Sequence, residues 1–234
     1  MTLALRSIER RQPLIDVLTP GARVCRLLNV TVAAIGLVVT LPLMLVIAAA
    51  IWLTSGSPVI FTQTRIGLDR RARRHRSNGN GRRSDDLGGR PFTIYKFRTM
   101  APRVGNGSAP QTWACPADAR VGALGRVLRT LRLDELPQLV NVLIGDMNIV
   151  GPRPEQPAIF ARLRCEIQGY ASRQRVPPGI TGWAQVNQGY DRSVSDVRRK
   201  VALDLEYIEH RSPLADLVIM VKTIPVMLFG RGAL

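Results

Sequence analysis

Two adjacent acidic residues, Asp134 and Glu135, are the side chains of this sequence best suited to chemistry. They lie in the segment LRLDELPQLVNVLIGDMNIVGPRPE, residues 131–155. A carboxylate pair can bring a Mg²⁺ ion and a phosphate to one point, because Mg²⁺ takes oxygen ligands and keeps positions for substrate phosphates. A helix cap is the alternative interpretation, since an acidic residue commonly satisfies the first N–H groups of a helix.

Arginines on both sides of the pair favour chemistry over capping. Arg129 and Arg132 precede it, and Arg153 follows between two prolines. Because prolines restrict the backbone around Arg153, its guanidinium can be held ready for a phosphate. Carboxylates among arginines are what phosphoryl transfer requires, namely oxygen ligands for a hard cation and positive charge for the phosphate oxygens.

A short amphipathic helix is expected to carry the pair at its start. Apolar residues recur at helical spacing, at Leu136, Leu139, Val140 and Leu143. Pro137 fits only the first turn of such a helix, and Gly145 suits its end. The pair would then lie at the positive end of the helix dipole. Asp146 follows, and it could either support a metal ion or cap a turn.

An apolar run precedes these motifs. Residues 27–53 contain no charged side chain. As a helix they would extend about 40 Å, more than the roughly 30 Å hydrocarbon core of a bilayer. Pro42, near the middle, removes a backbone hydrogen bond and kinks or breaks the helix. Two arrangements follow: a kinked span, or a re-entrant helix that leaves on the side it entered.

The charges beside the apolar run favour the re-entrant helix. Arginines lie on both sides of it, at Arg6, Arg10, Arg11, Arg23 and Arg26 before and at Arg65, Arg70, Arg71, Arg73, Arg74 and Arg76 after. The positive-inside rule places both flanks in the cytoplasm. The formal net charge of +16 suits a domain on an anionic membrane surface. We therefore expect a basic cytoplasmic lead over residues 1–26, a re-entrant membrane helix over 27–53 and a cytoplasmic membrane-surface catalytic domain over 54–234.

The remaining patterns predict an α+β fold that is mostly helical. Residues 59–65 and 91–98 are rich in β-branched and aromatic residues, which predicts two strands paired as a small hairpin. Their connection is long and expected to be disordered. Helices are expected over residues 122–131, 156–168 and 194–210, and residues 176–185 are rich in turn formers. The apolar segment 214–229 could be an interfacial helix or a core helix.

Composition limits the classes of function. A basic chain can bind nucleic acid, yet this one has no zinc-finger spacing, RNA-recognition motif or obvious helix-turn-helix. Its three widely spaced cysteines indicate neither a disulfide framework nor a metal site. Besides an enzyme, two classes stay open: a non-catalytic basic membrane-surface scaffold and a membrane-tethered nucleic-acid binder. Neither explains acidic residues at the centre of basic motifs.

Four segments together resemble one family. SGSPVIFTQTRIG, PFTIYKFRTM, LDELPQLVNVLIGDMNIVGPRPE and PPGITGWAQVN occur in the order found in bacterial sugar transferases, the small monotopic phosphoglycosyl transferases. The resemblance covers nearly the whole chain. It implies transfer of a sugar-1-phosphate from a UDP-sugar to undecaprenyl phosphate with release of UMP, as the start of an exopolysaccharide, capsule or O-antigen repeat unit.

The same resemblance implies a location and partners. The chain would be a monotopic protein of the bacterial inner membrane, with its catalytic domain on the cytoplasmic face in contact with membrane lipid. Its re-entrant helix would be broken at Pro42. The family often has Ser directly before this proline, where this chain has Leu41, and Thr40 is the nearest hydroxyl that could bond a carbonyl freed in the bend. No nucleic acid is expected as a partner, and a homodimer is left open.

The resemblance also assigns roles to site residues. Asp134 matches the nucleophile that attacks the β-phosphate and forms an aspartyl-phosphosugar intermediate. Glu135 matches the partner that holds Mg²⁺, and Asp146 is a weaker candidate ligand. Binding and ordering of the substrate phosphates fall to four basic residues, Lys96, Arg98, Arg129 and Arg153.

Overall fold

One long helix leads into a mostly helical domain in the computed structural model, which describes residues 20–69, 89–101, 120–189 and 193–228. The helices and strands in these ranges are α1 (Pro20–Ser55), β1 (Ile60–Ile66), β2 (Pro91–Phe97), α2 (Ala123–Thr130), α3 (Gln138–Ile144), β3 (Asn148–Val150), α4 (Pro157–Glu166), β4 (Gly179–Thr181), α5 (Trp183–Asn187), α6 (Val194–Glu209) and α7 (Pro213–Leu228). There are also 3₁₀ helices at Leu133–Glu135 and Tyr170–Arg175. The expected α+β class, mostly helical, is confirmed.

Helix α1 is continuous over 36 residues with Pro42 inside it. The expected interruption of the helix at Pro42 is therefore absent, and a bend at this proline stays a prediction. The φ that proline fixes is close to helical, and its missing N–H removes the donor of only one carbonyl, that of Val38. Thr40 does not compensate that carbonyl, because its hydroxyl donates to the Gly36 carbonyl at 2.7 Å. The helix also extends beyond the apolar run on both sides, while the lead up to residue 19 lies outside the described residues.

Both ends of α1 pack against the same domain. Ala33, near the start, is buried in a cluster with Ile94 of β2 and Val142 of α3. Ile51, near the end, is buried with Phe97 and Leu128. Between them lies a series of exposed apolar side chains, Ile35, Val38, Val39, Leu41, Leu43, Leu45 and Val46. The helix is thus held at two places and presents its apolar centre away from the domain.

A buried polar network joins α1 to three other elements. Asn29 Nδ2 donates to Asp216 Oδ2 at 2.8 Å, and the hydroxyl of Tyr207 donates to Asp216 Oδ1 at 2.7 Å. The backbone N–H of Val150 donates to Asn29 Oδ1 at 3.0 Å. Because an unpaired polar group inside the protein is costly, these contacts specify how α1, β3, α6 and α7 fit together.

Two small sheets shape the domain. Strands β1 and β2 pair antiparallel from Ile60↔Phe97 to Ile66↔Pro91, which confirms the predicted hairpin. Most of their connection, residues 70–88, lies outside the described residues. Strands β3 and β4 pair in parallel, and β4 was expected only as part of a turn-rich segment. A Cβ on Gly179 would lie 2.1 Å from the Gly151 nitrogen, so only glycine permits this close approach.

The other predicted helices are also present. Helices α2, α4 and α6 correspond to the segments 122–131, 156–168 and 194–210, and Ser193 and Asp196 form a capping box at the start of α6. Helix α7 has features of both alternatives considered for it. Ile219 is buried in the core, whereas Leu214, Leu217, Val218, Val221 and Ile224 form an exposed apolar face.

Candidate active site

The acidic pair lies in the 3₁₀ helix Leu133–Glu135, and the two residues are 9% and 6% exposed. The chain enters it through Arg132, whose φ of 54° is in the left-handed region that an L-residue adopts only at a cost. We expected the pair in the first turn of α3. It lies before that helix instead, because Pro137 is the N-cap of α3. Gly145 does end α3, with a φ of 95°.

Glu135 is held by two cations. Lys96 Nζ donates to its Oε1 at 2.6 Å. Arg153 binds both carboxylate oxygens, Oε1 through Nη2 and Oε2 through Nη1, the latter at 3.3 Å. Burial opposes ionisation of Glu135, but the charges of Arg153 and Lys96 outweigh it and hold its pKa well below the usual range. Glu135 is therefore ionised, with both oxygens engaged.

Asp134 differs from its neighbour. Within the part of the chain that the structure describes, no hydrogen bond or ion pair reaches its carboxylate. Burial raises its pKa, although Lys96 and more weakly Arg153 and Arg129 act in the opposite direction. A buried carboxylate with free lone pairs, close to positive charge, has the features of a nucleophile.

Lys96 reaches the pair because α3 is fixed to strand β2. The Tyr95 N–H donates to Asn141 Oδ1 at 3.1 Å, and Asn141 Nδ2 donates to the Thr93 carbonyl at 2.7 Å. The Asn141 amide thus continues the ladder of β2 and fixes the helix after the acidic pair against the strand that carries Lys96. The sequence patterns did not assign this role, and the only signal was a polar residue within an otherwise apolar helix.

The loop 152–155 fixes Arg153 from the other side. Each of its four carbonyls accepts a hydrogen bond, in chain order from Gly179 N, Arg173 Nη2, Arg65 Nη1 and Ile66 N at 3.0, 3.1, 3.1 and 2.9 Å. The expected constraint on the Arg153 backbone is therefore present, but hydrogen bonds supply it along with the prolines. We name Lys96, Asp134, Glu135 and Arg153 the site cluster.

A second group of charges lies behind this loop. Arg173 Nε and Asp204 Oδ2 are 2.7 Å apart, with side chains 4% and 2% exposed. Lys200 Nζ lies 3.1 Å from Glu155 Oε1. Burial opposes ionisation of Glu155, yet the charge of Lys200 lowers its pKa to about 2. We name Glu155, Arg173, Lys200 and Asp204 the support cluster, because it holds the loop that carries Arg153.

Arg129 and Arg98 lie in different surroundings. The charge of Arg129 acts in the direction that lowers the pKa of Asp134, more weakly than the charge of Lys96. The guanidinium of Arg98 instead donates to the carbonyls of residues 55, 56 and 57 at 2.5, 2.6 and 3.1 Å. Arg98 thus caps the end of α1, and its role in phosphate binding stays a prediction without support from these contacts.

Arg26 forms a comparable contact at the start of α1. Its Nη2 donates to the Val142 carbonyl at 2.5 Å, and its Nη1 donates to the Met147 carbonyl at 2.7 Å and to Asn148 Oδ1 at 2.9 Å. It therefore caps the end of α3, the helix that follows the acidic pair. Two arginines thus tie the two ends of α1 to elements that build the site.

The donors suit a Mg²⁺ ion only in combination with a substrate. No group of three or more potential metal-binding side chains occurs in the described ranges, so Asp146 does not join the acidic pair in such a group. Among the described residues, two cations donate to Glu135 Oε1 and one to its Oε2, whereas none donates to Asp134. Mg²⁺ in phosphoryl-transfer sites is often held by one or two carboxylates and the substrate phosphates. The site cluster fits that arrangement rather than a cage made entirely of protein ligands.

Comparison with known proteins places most of the chain in one family. Residues 21–230 fit the family model of bacterial sugar transferases. A UDP-N-acetylgalactosamine-undecaprenyl-phosphate N-acetylgalactosaminephosphotransferase of Aeromonas hydrophila is 40% identical over 206 residues, 88% of this chain and 44% of that protein. UDP-glucose:undecaprenyl-phosphate glucose-1-phosphate transferases of Escherichia coli K12 and Caulobacter vibrioides are 39% and 40% identical over 91% and 87% of this chain. These two alignments cover 42% and 69% of the relatives, so this chain spans less than half the length of two of the three.

Proposed function

The chain belongs to the bacterial sugar transferase family, and from this premise we propose that it transfers a sugar-1-phosphate from a UDP-sugar to undecaprenyl phosphate and releases UMP. One observation carries the proposal: two adjacent buried carboxylates share a site with cations, and among the described residues only Glu135 of the two is paired. The product would start an exopolysaccharide, capsule or O-antigen repeat unit. The names of the three relatives support both substrates.

The proposed reaction has two steps at one carboxylate. In the first, an Asp134 oxygen attacks the β-phosphorus of the UDP-sugar, a new P–O bond forms, and the bond to the α-phosphate oxygen breaks, so that UMP leaves. In the second, an oxygen of undecaprenyl phosphate attacks the same phosphorus and the bond to Asp134 breaks. The aspartate is regenerated and the lipid diphosphosugar departs, which is a ping-pong scheme.

The assignment of the two acids follows from their contacts. A nucleophile needs an open lone pair, and Glu135 has both oxygens engaged by Lys96 and Arg153. Asp134 has no such partner within the described residues. Glu135 instead holds the two cations beside the position where the phosphate would bind. This division supports Asp134 as the nucleophile and Glu135 as the organising acid.

Charge favours a diphosphate at this site. Lys96, Arg129 and Arg153 act electrostatically on Asp134, and together they exceed the charge of the two acids by one. Cations preorganised in a partly buried site stabilise the charge that develops on phosphate oxygens. When bound, Mg²⁺ would neutralise further negative charge on the diphosphate, and Glu135 would hold it through the lone pair that Oε2 keeps beside Arg153 Nη1.

We propose a monotopic arrangement in the bacterial inner membrane, with the domain on the cytoplasmic face. Helix α1 is long and apolar enough to cross a bilayer, yet both of its ends pack on one domain. That packing supports a helix that enters and leaves on the same side. The exposed apolar face of α7 supplies a second surface for lipid contact.

UMP release tests the function directly. The purified chain in lipid vesicles would be offered a panel of UDP-sugars and Mg²⁺, with and without undecaprenyl phosphate. We expect a burst of UMP without the lipid acceptor, steady turnover with it, and an Asp134-linked phosphosugar by mass spectrometry. Absence of UMP release with every UDP-sugar would contradict the proposal. A basic membrane-surface scaffold would then be the better account, or a nucleic-acid binder if the chain bound DNA or RNA with a steep salt dependence.

A further inference from the structure

Gln185, on the short helix α5, contacts the site cluster without having been assigned any role. Its Oε1 accepts a hydrogen bond from Arg153 Nη1 at 3.2 Å. The same guanidinium nitrogen lies 3.3 Å from Glu135 Oε2. The Gln185 amide is therefore one hydrogen bond away from the pair of charges at the centre of the site.

The other half of this amide is unused. Gln185 Nε2 is buried and has no hydrogen-bond partner among the described residues. Rotating the amide by 180° would not relieve this, because the NH₂ group would then face the N–H of Arg153, donor against donor. Since a buried N–H without an acceptor is costly, an acceptor that reached this N–H would supply a hydrogen bond that the described residues do not.

The position of this donor is fixed by backbone packing. A Cβ on Gly182, the N-cap of α5, would lie 2.3 Å from the Gly151 carbonyl oxygen and 3.5 Å from Gln185 Nε2. Helix α5 therefore begins in close contact with the residue that precedes the Arg153 loop. Arg153 and Gln185 are thus held in one frame, and neither depends on a flexible segment for its position.

The acceptor that suits this place is a phosphate oxygen. Lys96 and Arg153 attract anions to the site, but each already binds Glu135. A neutral N–H donor beside them adds a hydrogen bond to an oxyanion without adding charge. We propose that Gln185 is a substrate-binding residue whose Nε2 donates to a non-bridging oxygen of the UDP-sugar diphosphate. This inference rests on the proposed function and adds a residue to the proposed binding site for the UDP-sugar.

Gln185→Glu separates this role from a purely structural one. The glutamate keeps an acceptor for Arg153 but replaces the N–H donor with a carboxylate oxygen that repels phosphate. If Gln185 only held Arg153, the carboxylate would keep that contact as an ion pair, and Gln185→Glu should retain more activity than Gln185→Met, which loses it. If it binds the diphosphate, we expect the KM for the UDP-sugar in the UMP burst to rise about 10- to 100-fold.

Asn187→Asp is the matched charge control. It makes the same neutral-to-acidic change on the same helix, at an exposed side chain whose amide donates to the Trp183 carbonyl and to no other described residue. We expect its UMP burst to stay within about twofold of wild type. An equal loss in both variants would attribute the effect to charge on α5 and overturn the assignment of Gln185.

Binding without turnover provides an independent measurement. On an Asp134→Asn background, which cannot form the adduct, Gln185→Met should weaken UDP-sugar binding about tenfold and leave uridine binding unchanged, since uridine has no phosphate. Equal affinity for the UDP-sugar with and without the Met substitution, or equal losses for UDP-sugar and uridine, would overturn the inference. Wild-type chain that releases no UMP would instead refute the proposed function, so the two failures are distinguishable.

Discussion

The site cluster and the support cluster each bring together two acids and two cations, but they pair them differently. In the support cluster each acid has its own cation, Arg173 with Asp204 and Lys200 with Glu155. In the site cluster both cations converge on Glu135. The charges are equal in number, so the difference lies in geometry. Complete pairing makes a rigid support, whereas incomplete pairing leaves Asp134 available for chemistry.

Removing the unpaired acid should have the largest effect. We expect Asp134→Asn to lower turnover at least about 10⁴-fold and to abolish the phosphosugar adduct, because an amide cannot serve as the nucleophile. The same change in the support cluster, Asp204→Asn, should mainly lower the melting temperature, since it weakens a buried ion pair. UMP release per folded protein and thermal unfolding measure the two effects. Full turnover by Asp134→Asn would refute the comparison.

Removing the paired acid should abolish the asymmetry between Asp134 and Glu135. In Glu135→Gln, Lys96 and Arg153 lose their shared carboxylate, and Asp134 becomes the nearest acid for them to pair with. We expect turnover to fall about 100-fold or more, together with the loss of its dependence on Mg²⁺. Initial rates across a Mg²⁺ titration test this. An unchanged Mg²⁺ dependence would count against a role for Glu135 in holding the ion.

Truncating one lysine in each cluster gives a matched pair. Lys96→Met should reduce the UMP burst at least about tenfold with little change in stability, because Arg153 still binds Glu135. Lys200→Met leaves Glu155 buried without its cation and should lower the free energy of unfolding by about 3 kcal/mol. Its burst per folded protein should change much less. Urea unfolding and burst kinetics on both variants would show the reverse pattern if the roles of the clusters were exchanged.

The clusters should also respond to pH in different ranges. Burial raises the pKa of Asp134, so the burst rate should fall, as the pH is lowered, at a higher pH than for an ordinary aspartate. Lys96→Met removes a charge that lowers this pKa and should move the acid limb higher still. The pKa of Glu155 is lowered from 4.5 to about 2. Its contribution to stability is therefore complete above about pH 4.5 and lost as the pH falls through 2.

Rates and unfolding free energies measured from pH 7 downward test this separation. We expect activity to decline while the fold is still stable. Simultaneous loss of both in the wild type would show that the acid limb reports unfolding. An unmoved acid limb in Lys96→Met would show that another group controls it.

Much of the fold could be predicted from local patterns. The antiparallel hairpin, the helices α2, α4 and α6 and the long apolar helix all follow from periodicity and turn residues. Strand β4 could not be predicted, because three residues of a turn-rich segment become a strand only when β3 lies beside them. The continuity of α1 through Pro42 could not be predicted either. The rule that proline interrupts a helix does not say whether the residues on both sides of it stay helical.

The residues of the candidate site also fall into two groups, those that could be predicted from the sequence and those that could not. Asp134, Glu135 and Arg153 could be selected from residue types and spacing, and the structure brings them together. Asn141 and Gln185 could not, because an amide in a helix has the same sequence pattern whether it faces solvent or completes a site. Their roles depend on which backbone or guanidinium lies opposite, and that is a property of packing.

Lys96 and Arg98 show which properties of a residue follow from the sequence and which follow only from the tertiary structure. By itself the sequence determined that two cations lie two residues apart in one predicted strand, within a chain whose acidic pair is surrounded by arginines. Only the tertiary structure decided that Lys96 binds Glu135, 39 positions along the chain, while Arg98 caps α1. The physical reason is that periodicity records which face a residue lies on. The partner of a charge depends on which distant elements pack against that face.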